Sequence, residues 1–361
     1  MVAAEGAPVQ RPSAADFDDF LGYVRQLDPL LRKYGVVRVL PPETWRARFP
    51  PAAARERADA LTIPAPIRQR SRGRSGVFEH IFVEEKSMSG RQFREYAEKR
   101  DAEERHAGKS VEDLERTFWS NLNYQSPLYG ADVECSLFAD AETEWNLSRL
   151  PGMLEAMPRL GRDIPGINSP YLYYGSFRSL FAWHREDLDL FSINYVHCGR
   201  QKLWYSIPPE QAPRMKAHLE RSYPLMVAEC KEFDRHKLAL VSPTILHAAG
   251  IPVYRTVQEE GEFVITYPAA YHAGFNLGYN VAEAVNFATA AWVPAGLDAE
   301  YCYCGKQGVR LNVRELCTGY YEANAVEKED EDVAGMEVDE GEVRRDLLRV
   351  VEEMGEEVMG E

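Results

Sequence analysis

From Tyr171 onward the chain consists of short runs of aromatic and β-branched residues, each closed by turn residues: 171–174, 190–197, 202–207, 262–267 and 286–293. Runs of this length and spacing predict strands, and several in succession predict a β-sandwich or jelly roll. One helical excursion, 209–221, interrupts them. Earlier in the chain, Phe17, Phe20, Leu21, Val24 and Leu27 recur at helical spacing, and Ser13 is placed to cap that helix. A strand at 36–40 stops at Pro41-Pro42, because proline cannot continue a central strand. The Pro-, Ala- and Arg-rich stretch 46–57 reads as a connector, 78–84 as a strand, and 91–105 and 111–120 as helices.

The 361 residues carry a net charge of −15, and its location matters more than its size. From Glu322 to Glu361 there are 16 acids against 4 bases, while the rest of the chain carries 41 acids against 38 bases. A body so close to neutral does not bind nucleic acid by bulk charge and tolerates a basic peptide. The tail's own helical face, Val343, Leu347, Val350, Val351 and Met354, suits either a partner or a short marginal helix. No run approaches 18 uninterrupted apolar residues, so no membrane partner is expected, and residues 1–10 lack the pattern of a secretory signal. Six cysteines are too few for a disulfide framework and suit a reducing compartment.

The chemistry begins at His184-Arg185-Glu186. Residues i and i+2 of a strand share a face, so one strand can present an imidazole beside a carboxylate. His272, 86 positions after Glu186, can complete a triad from a distant strand. Two histidines and one carboxylate leave open coordination positions and suit non-haem Fe(II). Alone, His-x-Glu is as readily an exposed polar strand face. Its setting argues otherwise: Leu180-Phe181-Ala182-Trp183 precedes it, and Tyr271 to Phe275 surrounds the third member. Burying such groups without partners is costly, and a metal is a natural reason for them.

Lys202, in the strand-like Gln201-Lys202-Leu203-Trp204-Tyr205, can supply a cation to the far carboxylate of a 2-oxoglutarate co-substrate, or can simply face water at an edge. Cys302-Tyr303-Cys304 together with Cys230 and His236 can form a closed tetrahedral zinc site. The spacing is not that of a standard finger, and unconnected buried cysteines fit it as well.

Taken in order, residues 12–310 resemble the JmjN-plus-JmjC histone lysine demethylases, specifically the subfamily acting on trimethylated lysine 9 and lysine 36 of histone H3. The JmjN likeness lies in Pro12-Ser13 through Phe20 and in Val39-Leu40-Pro41-Pro42-Glu43-Thr44-Trp45. The JmjC likeness lies in Tyr129-Gly130-Ala131-Asp132, Glu144-Trp145-Asn146, Phe181-Ala182-Trp183-His184, Ser192-Ile193-Asn194-Tyr195, Trp204-Tyr205-Ser206-Ile207-Pro208-Pro209-Glu210 and Tyr271-His272-Ala273-Gly274-Phe275-Asn276.

The resemblance implies an α+β fold: a double-stranded β-helix (jelly-roll, cupin-like) core with surrounding helices and an N-terminal JmjN segment. It divides the chain into a disordered N-terminus (1–11), JmjN (12–55), a mixed α/β region packing on the core (56–137), a JmjC catalytic domain with a zinc site (138–305) and an acidic, partly disordered tail (306–361). It implies that His184, Glu186 and His272 hold Fe(II), and that Lys202, Tyr129 and Asn194 bind 2-oxoglutarate between Phe181 and Trp204. Cys230, His236, Cys302 and Cys304 would hold Zn(II). Gly166, Tyr171, Tyr173, Ala284 and Asn286, with Glu186, would receive the methylated lysine, and Lys237 would stand near the O2 site. The implied reaction decarboxylates 2-oxoglutarate to succinate and hydroxylates an N-methyl carbon, and the hemiaminal collapses to formaldehyde. No nitrogen lone pair is needed, so a trimethylated lysine qualifies.

Two departures stand out. Ala284-Val285 replaces the Ser-Thr of some members, which bears on the preference between di- and trimethyl-lysine. Arg68, Arg70, Arg72 and Arg74 alternate in what reads as a loop, either solvated or touching nucleosomal DNA. The expected partner is the methylated histone H3 tail on the nucleosome, and the expected place is the nucleus. A protein hydroxylase and a catalytically silent chromatin-binding protein are the competing functions.

Overall fold

The computed structural model describes residues 4–103, 108–124, 126–138, 141–304 and 309–328, with side chains of the last helix described through residue 321. Most of the acidic tail, including the apolar face at 343–354, lies outside the described residues. Among them, no helix is long and apolar enough to cross a membrane.

Two sheets carry the core. Tyr171–Gly175, Asn280–Phe287, Phe191–Gly199 and Phe263–Thr266 lie side by side in the larger one. Leu180–His184, Tyr271–Asn276, Lys202–Ile207 and Tyr254–Gln258 lie side by side in the smaller one. Neighbours among these eight strands pair antiparallel. The chain changes sheet at every step except across the insertion at 208–253, which is the winding of a double-stranded β-helix. Flanking strands extend the larger sheet to ten and the smaller to five.

The N-terminal region braces the larger sheet from outside. Ser13 caps a short helix, Ala14–Asp18, and Asp19 then caps a second, Phe20–Tyr34. A single helix was expected here. The break at Asp19 lets Phe17 stack on Trp145 at 4.1 Å while Phe20 meets the same ring edge-on at 4.9 Å. Each such pair contributes about 0.5–1.5 kcal/mol beyond the area it buries. Gly35, at φ 72°, ends the helix where a side chain would be strained. Strand Val36–Val39 then pairs with Phe263–Thr266 and ties the segment to the core.

Three expectations need correction. Residues 1–11 are not disordered throughout: Glu5–Gly6 pairs with 254–255 and Val9–Gln10 with 38–39. Such pairing uses backbone groups alone and leaves no side-chain pattern to read. The stretch at 46–57 contains the start of a helix, Pro51–Ala60, with proline at its first position. Order was expected to fade after Cys304, but Val313–Lys328 forms a helix whose Val313, Leu316 and Cys317 join the main core.

The four arginines do not lie in a loop. Ile67–Arg74 and Val77–Glu84 form a hairpin turned by Ser75 (φ 54°) and Gly76 (φ 81°), as a two-residue turn requires. The alternation is polar on both faces, with Gln69 and Ser71 inward and Arg70 and Arg72 outward, so hydrophobicity gave no sign of it. Gln69 grips the strand of the first histidine: its amide bonds both the N–H and the C=O of Leu180 at 2.8 Å.

Candidate metal centres and active-site pocket

His184 ends strand Leu180–His184, and its antiparallel partner is His272. Residues directly opposite in such a pair project to the same face, so register alone brings the imidazoles together, with ring centroids 4.2 Å apart. Glu186 was expected on the same strand. It lies past the strand's end, in extended conformation before a short turn at Asp187–Asp189. Its Oε1 is 3.1 Å from His272 Nε2 and 3.9 Å from His184 Nε2.

Each ring's Nδ1 faces a carbonyl of its own strand, Ala182 at 2.7 Å and Ala270 at 3.3 Å. An Nδ1–H donated there leaves an Nε2 lone pair aimed at the centre. Burial, then His272 and Lys237, hold the His184 pKa well below its usual value, so the ring is neutral, as a ligand must be. Burial opposes ionisation of Glu186. The His272 hydrogen bond and the charges of His272, His184 and Lys237 outweigh it and keep the carboxyl well below the usual range. Two imidazole nitrogens and one carboxylate thus converge, their ligand atoms within 4.8 Å of one another. That donor set suits a divalent transition metal with open positions.

Beside the triad, across the Phe181 ring, lies a buried cation. Lys202 begins strand Lys202–Ile207 and pairs with Asn276 and Gln258, so it is central and not at an edge. It is 2% exposed, and burial lowers its pKa to about 7. Its ammonium lies 5.3 Å from the Phe181 ring centre and 6.0 Å from that of Tyr129. Among the described residues no ion pair to it is formed. A buried cation without a counter-ion is costly, and an anionic ligand would relieve that cost.

Phe181 and Trp204 meet at 4.6 Å, and Trp204 is 6.1 Å from His272. Gly274 makes this approach possible, since a Cβ there would come within 2.5 Å of the Phe181 ring. The Asn194 side-chain oxygen is also buried without a partner.

A third wall comes from the larger sheet. Tyr171 pairs with Ala284, and Ala284 with Asn194. Tyr173 stands edge-on to Tyr171 at 6.4 Å and is stacked on Tyr129 at 6.1 Å. Burial, then Asp132, raises its hydroxyl pKa well above the usual value, so it stays protonated. Gly166, at φ 85°, packs so close to Tyr171 that a Cβ would sit 2.7 Å from the ring. Its carbonyl accepts from the Asn286 N–H at 3.1 Å, and the Asn286 side chain donates to the Phe191 carbonyl at 2.9 Å. Lys237 adopts a left-handed conformation (φ 59°) and is exposed at the rim. Crowding by protein lowers its pKa, but Glu186, Asp132 and Asp187 outweigh this and raise it. Sequence reasoning assigned no role to Asp132, although it belongs to the Tyr129–Asp132 motif and is a non-glycine residue at φ 57°.

The second cluster gathers Cys230, His236, Cys302 and Cys304, and none of the four is in a disulfide. His236 Nε2 is 3.1 Å from both the Cys302 and Cys304 sulfurs, and Cys230 Sγ is 3.6 Å from Cys302 Sγ. Three sulfurs and one nitrogen around a point form a closed tetrahedral set, which suits a structural zinc and leaves no position for chemistry.

Comparison with known proteins agrees with this geometry. Residues 171–287 match the model described as "JmjC domain, hydroxylase", and residues 8–41 match the jmjN domain. Lysine-specific demethylase 4B of Mus musculus is 41% identical over 306 residues, 84% of this chain and 28% of its own length. Lysine-specific demethylase 4D of Rattus norvegicus is 40% identical over 306 residues, 84% of this chain and 59% of its own. Probable lysine-specific demethylase 4F of Homo sapiens is 38% identical over 304 residues, 84% and 47%. The chain thus spans between about a quarter and three fifths of the length of these relatives. With both domain models matched and this identity sustained across both, the chain belongs to the JmjN/JmjC lysine-specific demethylase family.

Proposed function

We propose that the chain is an Fe(II)- and 2-oxoglutarate-dependent demethylase of tri- and dimethylated lysine 9 or lysine 36 of histone H3, acting in the nucleus. The observation that carries this reading is the buried ammonium of Lys202, without an ion pair among the described residues, separated from the His184–Glu186–His272 triad by the Phe181 ring.

When bound, iron with 2-oxoglutarate and O2 supplies the oxidant that hydroxylates an N-methyl carbon. The chain supplies the rest. His184, Glu186 and His272 hold the metal. Lys202, with the Tyr129 hydroxyl and Asn194, takes the distal carboxylate as charge-assisted hydrogen bonds. Phe181 and Trp204 wall the co-substrate and exclude water. Tyr171, Tyr173, Gly166 and Asn286 orient the methyl-ammonium through aromatic surface and weak C–H···O contacts. The second centre holds zinc and is structural.

The test is formaldehyde release, with mass loss, from H3 peptides trimethylated at either position. Trimethyl-lysine is expected to be the best substrate despite Ala284-Val285. Stable hydroxylation without methyl loss would support a protein hydroxylase instead, and binding without turnover a silent chromatin-binding protein. Equal or better turnover of monomethyl-lysine would defeat the trimethyl preference.

Arg70, Arg72 and Arg74 are exposed on one face of the hairpin, Arg72 within 3.6 Å of Glu79, whereas Arg68 is held by Glu85. We include a weak DNA contact through this face in the proposal. Arg70→Ala with Arg72→Ala should lower nucleosome affinity and flatten its salt dependence by about two phosphate contacts. Unchanged affinity and slope would remove the contact.

A further inference from the structure

We infer that a buried ion network beneath the His-Glu-His centre positions two of its ligands, and that the Cys3His centre anchors this network; the inference rests on both centres being metal sites, as proposed above. In extended backbone, the neighbour of an inward residue points to the opposite face. Arg185 stands between His184 and Glu186, and Tyr271 directly precedes His272. Both side chains therefore leave the metal face, and both reach the same oxygen. Arg185 Nε donates to Asp234 Oδ2 at 3.2 Å, and the Tyr271 hydroxyl donates to it at 2.5 Å. The Arg185 guanidinium lies over the Tyr271 ring at 5.3 Å and continues to Asp189 at 3.2 Å and Glu232 at 3.4 Å. Arg235 closes the network. It meets Asp189 at 3.1 Å and donates to the backbone carbonyl of Glu186 at 2.5 Å.

Glu186 is thus held through its own carbonyl and through its neighbour, and His272 through its neighbour. Neither hold competes for the ligand atoms. Arg185, Arg235 and Lys216 face Asp189, Glu232 and Asp234, and Lys216 also meets the exposed Glu300 at 3.0 Å. Asp234 has a fully buried side chain, and Arg235 is 4% exposed. Removing one member of such a set leaves an uncompensated buried charge, so the arrangement is held or lost as a unit.

Glu232, Asp234 and Arg235 all fall between Cys230 and His236, two ligands of the second centre. A closed tetrahedral site pins both ends of that stretch. The network therefore transmits the closure of one centre to the ligand geometry of the other.

The test is Co(II) titration of the full chain loaded with zinc. The weak d–d bands of a nitrogen- and oxygen-liganded ion separate from the intense bands of cobalt thiolate. A chain that takes up no Co(II) at the triad overturns the centre itself, and the inference with it. Asp234→Asn is expected to weaken Co(II) binding about tenfold or more, with zinc content retained. Tyr271→Phe removes one hydrogen bond and leaves the packing. It should weaken binding severalfold and shift the d–d bands. Cys304→Ser should lower zinc content and weaken Co(II) binding at the distant triad. Unchanged affinity and unchanged bands in Tyr271→Phe overturn the inference, and that variant decides alone should Asp234→Asn fail to fold.

Discussion

Glu186→Ala is expected to abolish formaldehyde release, by about a thousandfold or more, in a chain that still folds and still holds zinc. Replacing outer partners of metal ligands costs about 10–100-fold, and loss of a ligand exceeds that. Glu186 supplies the only carboxylate of the triad, so its loss leaves only the two imidazoles to hold a divalent ion. The fold should tolerate the change, because the side chain is 15% exposed and faces the pocket. Metal content and formaldehyde release, measured on the same preparation, check this. Activity above a tenth of the original would show that the oxidant is not held where the triad places it.

Lys202→Met is expected to raise the KM for 2-oxoglutarate about a hundredfold, and to raise the stability of the ligand-free chain at acidic pH. Both effects follow from one buried ammonium. In the free chain burial lowers its pKa from 10.5 to about 7. A lysine lowered on folding is a penalty when charged: unfolded chains bind the proton more readily, so stability rises with pH between about 7 and 10.5. Below pH 7 the full penalty stands. At about 1.4 kcal/mol per unit, it amounts to roughly 5 kcal/mol. An incoming carboxylate favours the charged form and offsets that penalty. Affinity for 2-oxoglutarate should therefore be level below pH 7 and fall above it, by up to about tenfold per unit. The methionine variant should show weak, pH-independent binding and a higher melting temperature at pH 6. Unchanged affinity, or a decline beginning only near pH 10, would place the cation elsewhere.

The stability of this site is thus in tension with its use. A buried lysine without an ion pair among the described residues and an unpartnered asparagine oxygen at position 194 both weaken the empty chain. The aromatic packing of Phe17, Phe20 and Trp145 lies on the far side of the larger sheet, where it can compensate without touching the pocket.

The ligand types and the general architecture were legible in the residues themselves. His-x-Glu in an aromatic setting, a distant histidine and a lysine in an apolar run are local chemical facts. So is the rhythm of short strands that predicted a jelly roll. The least legible element was the strand Asn280–Phe287, displaced in the sequence reading to 286–293. It carries Asn280, Glu283 and Asn286 among alanines and valines, which no hydrophobic pattern marks as central. Tertiary contacts hold them: Glu283 pairs with His197 at 2.7 Å and with Ser136 at 2.6 Å, Asn286 donates to the Phe191 carbonyl, and the Asn280 amide donates to Asn276 at 2.9 Å. The arginine strand was hidden for a related reason, since its inward residues are polar and bonded to a distant strand.

Which groups could bind metal and co-substrate follows from the residues alone, because donor chemistry belongs to each side chain. Folding alone brings His184 and His272 face to face in register, carries Glu186 in from beyond the strand's end, and gathers Arg185, Asp234 and Arg235 behind them. Those outcomes depend on which strands pair and on which buried charges find partners. Both are set by contacts between residues far apart in the chain.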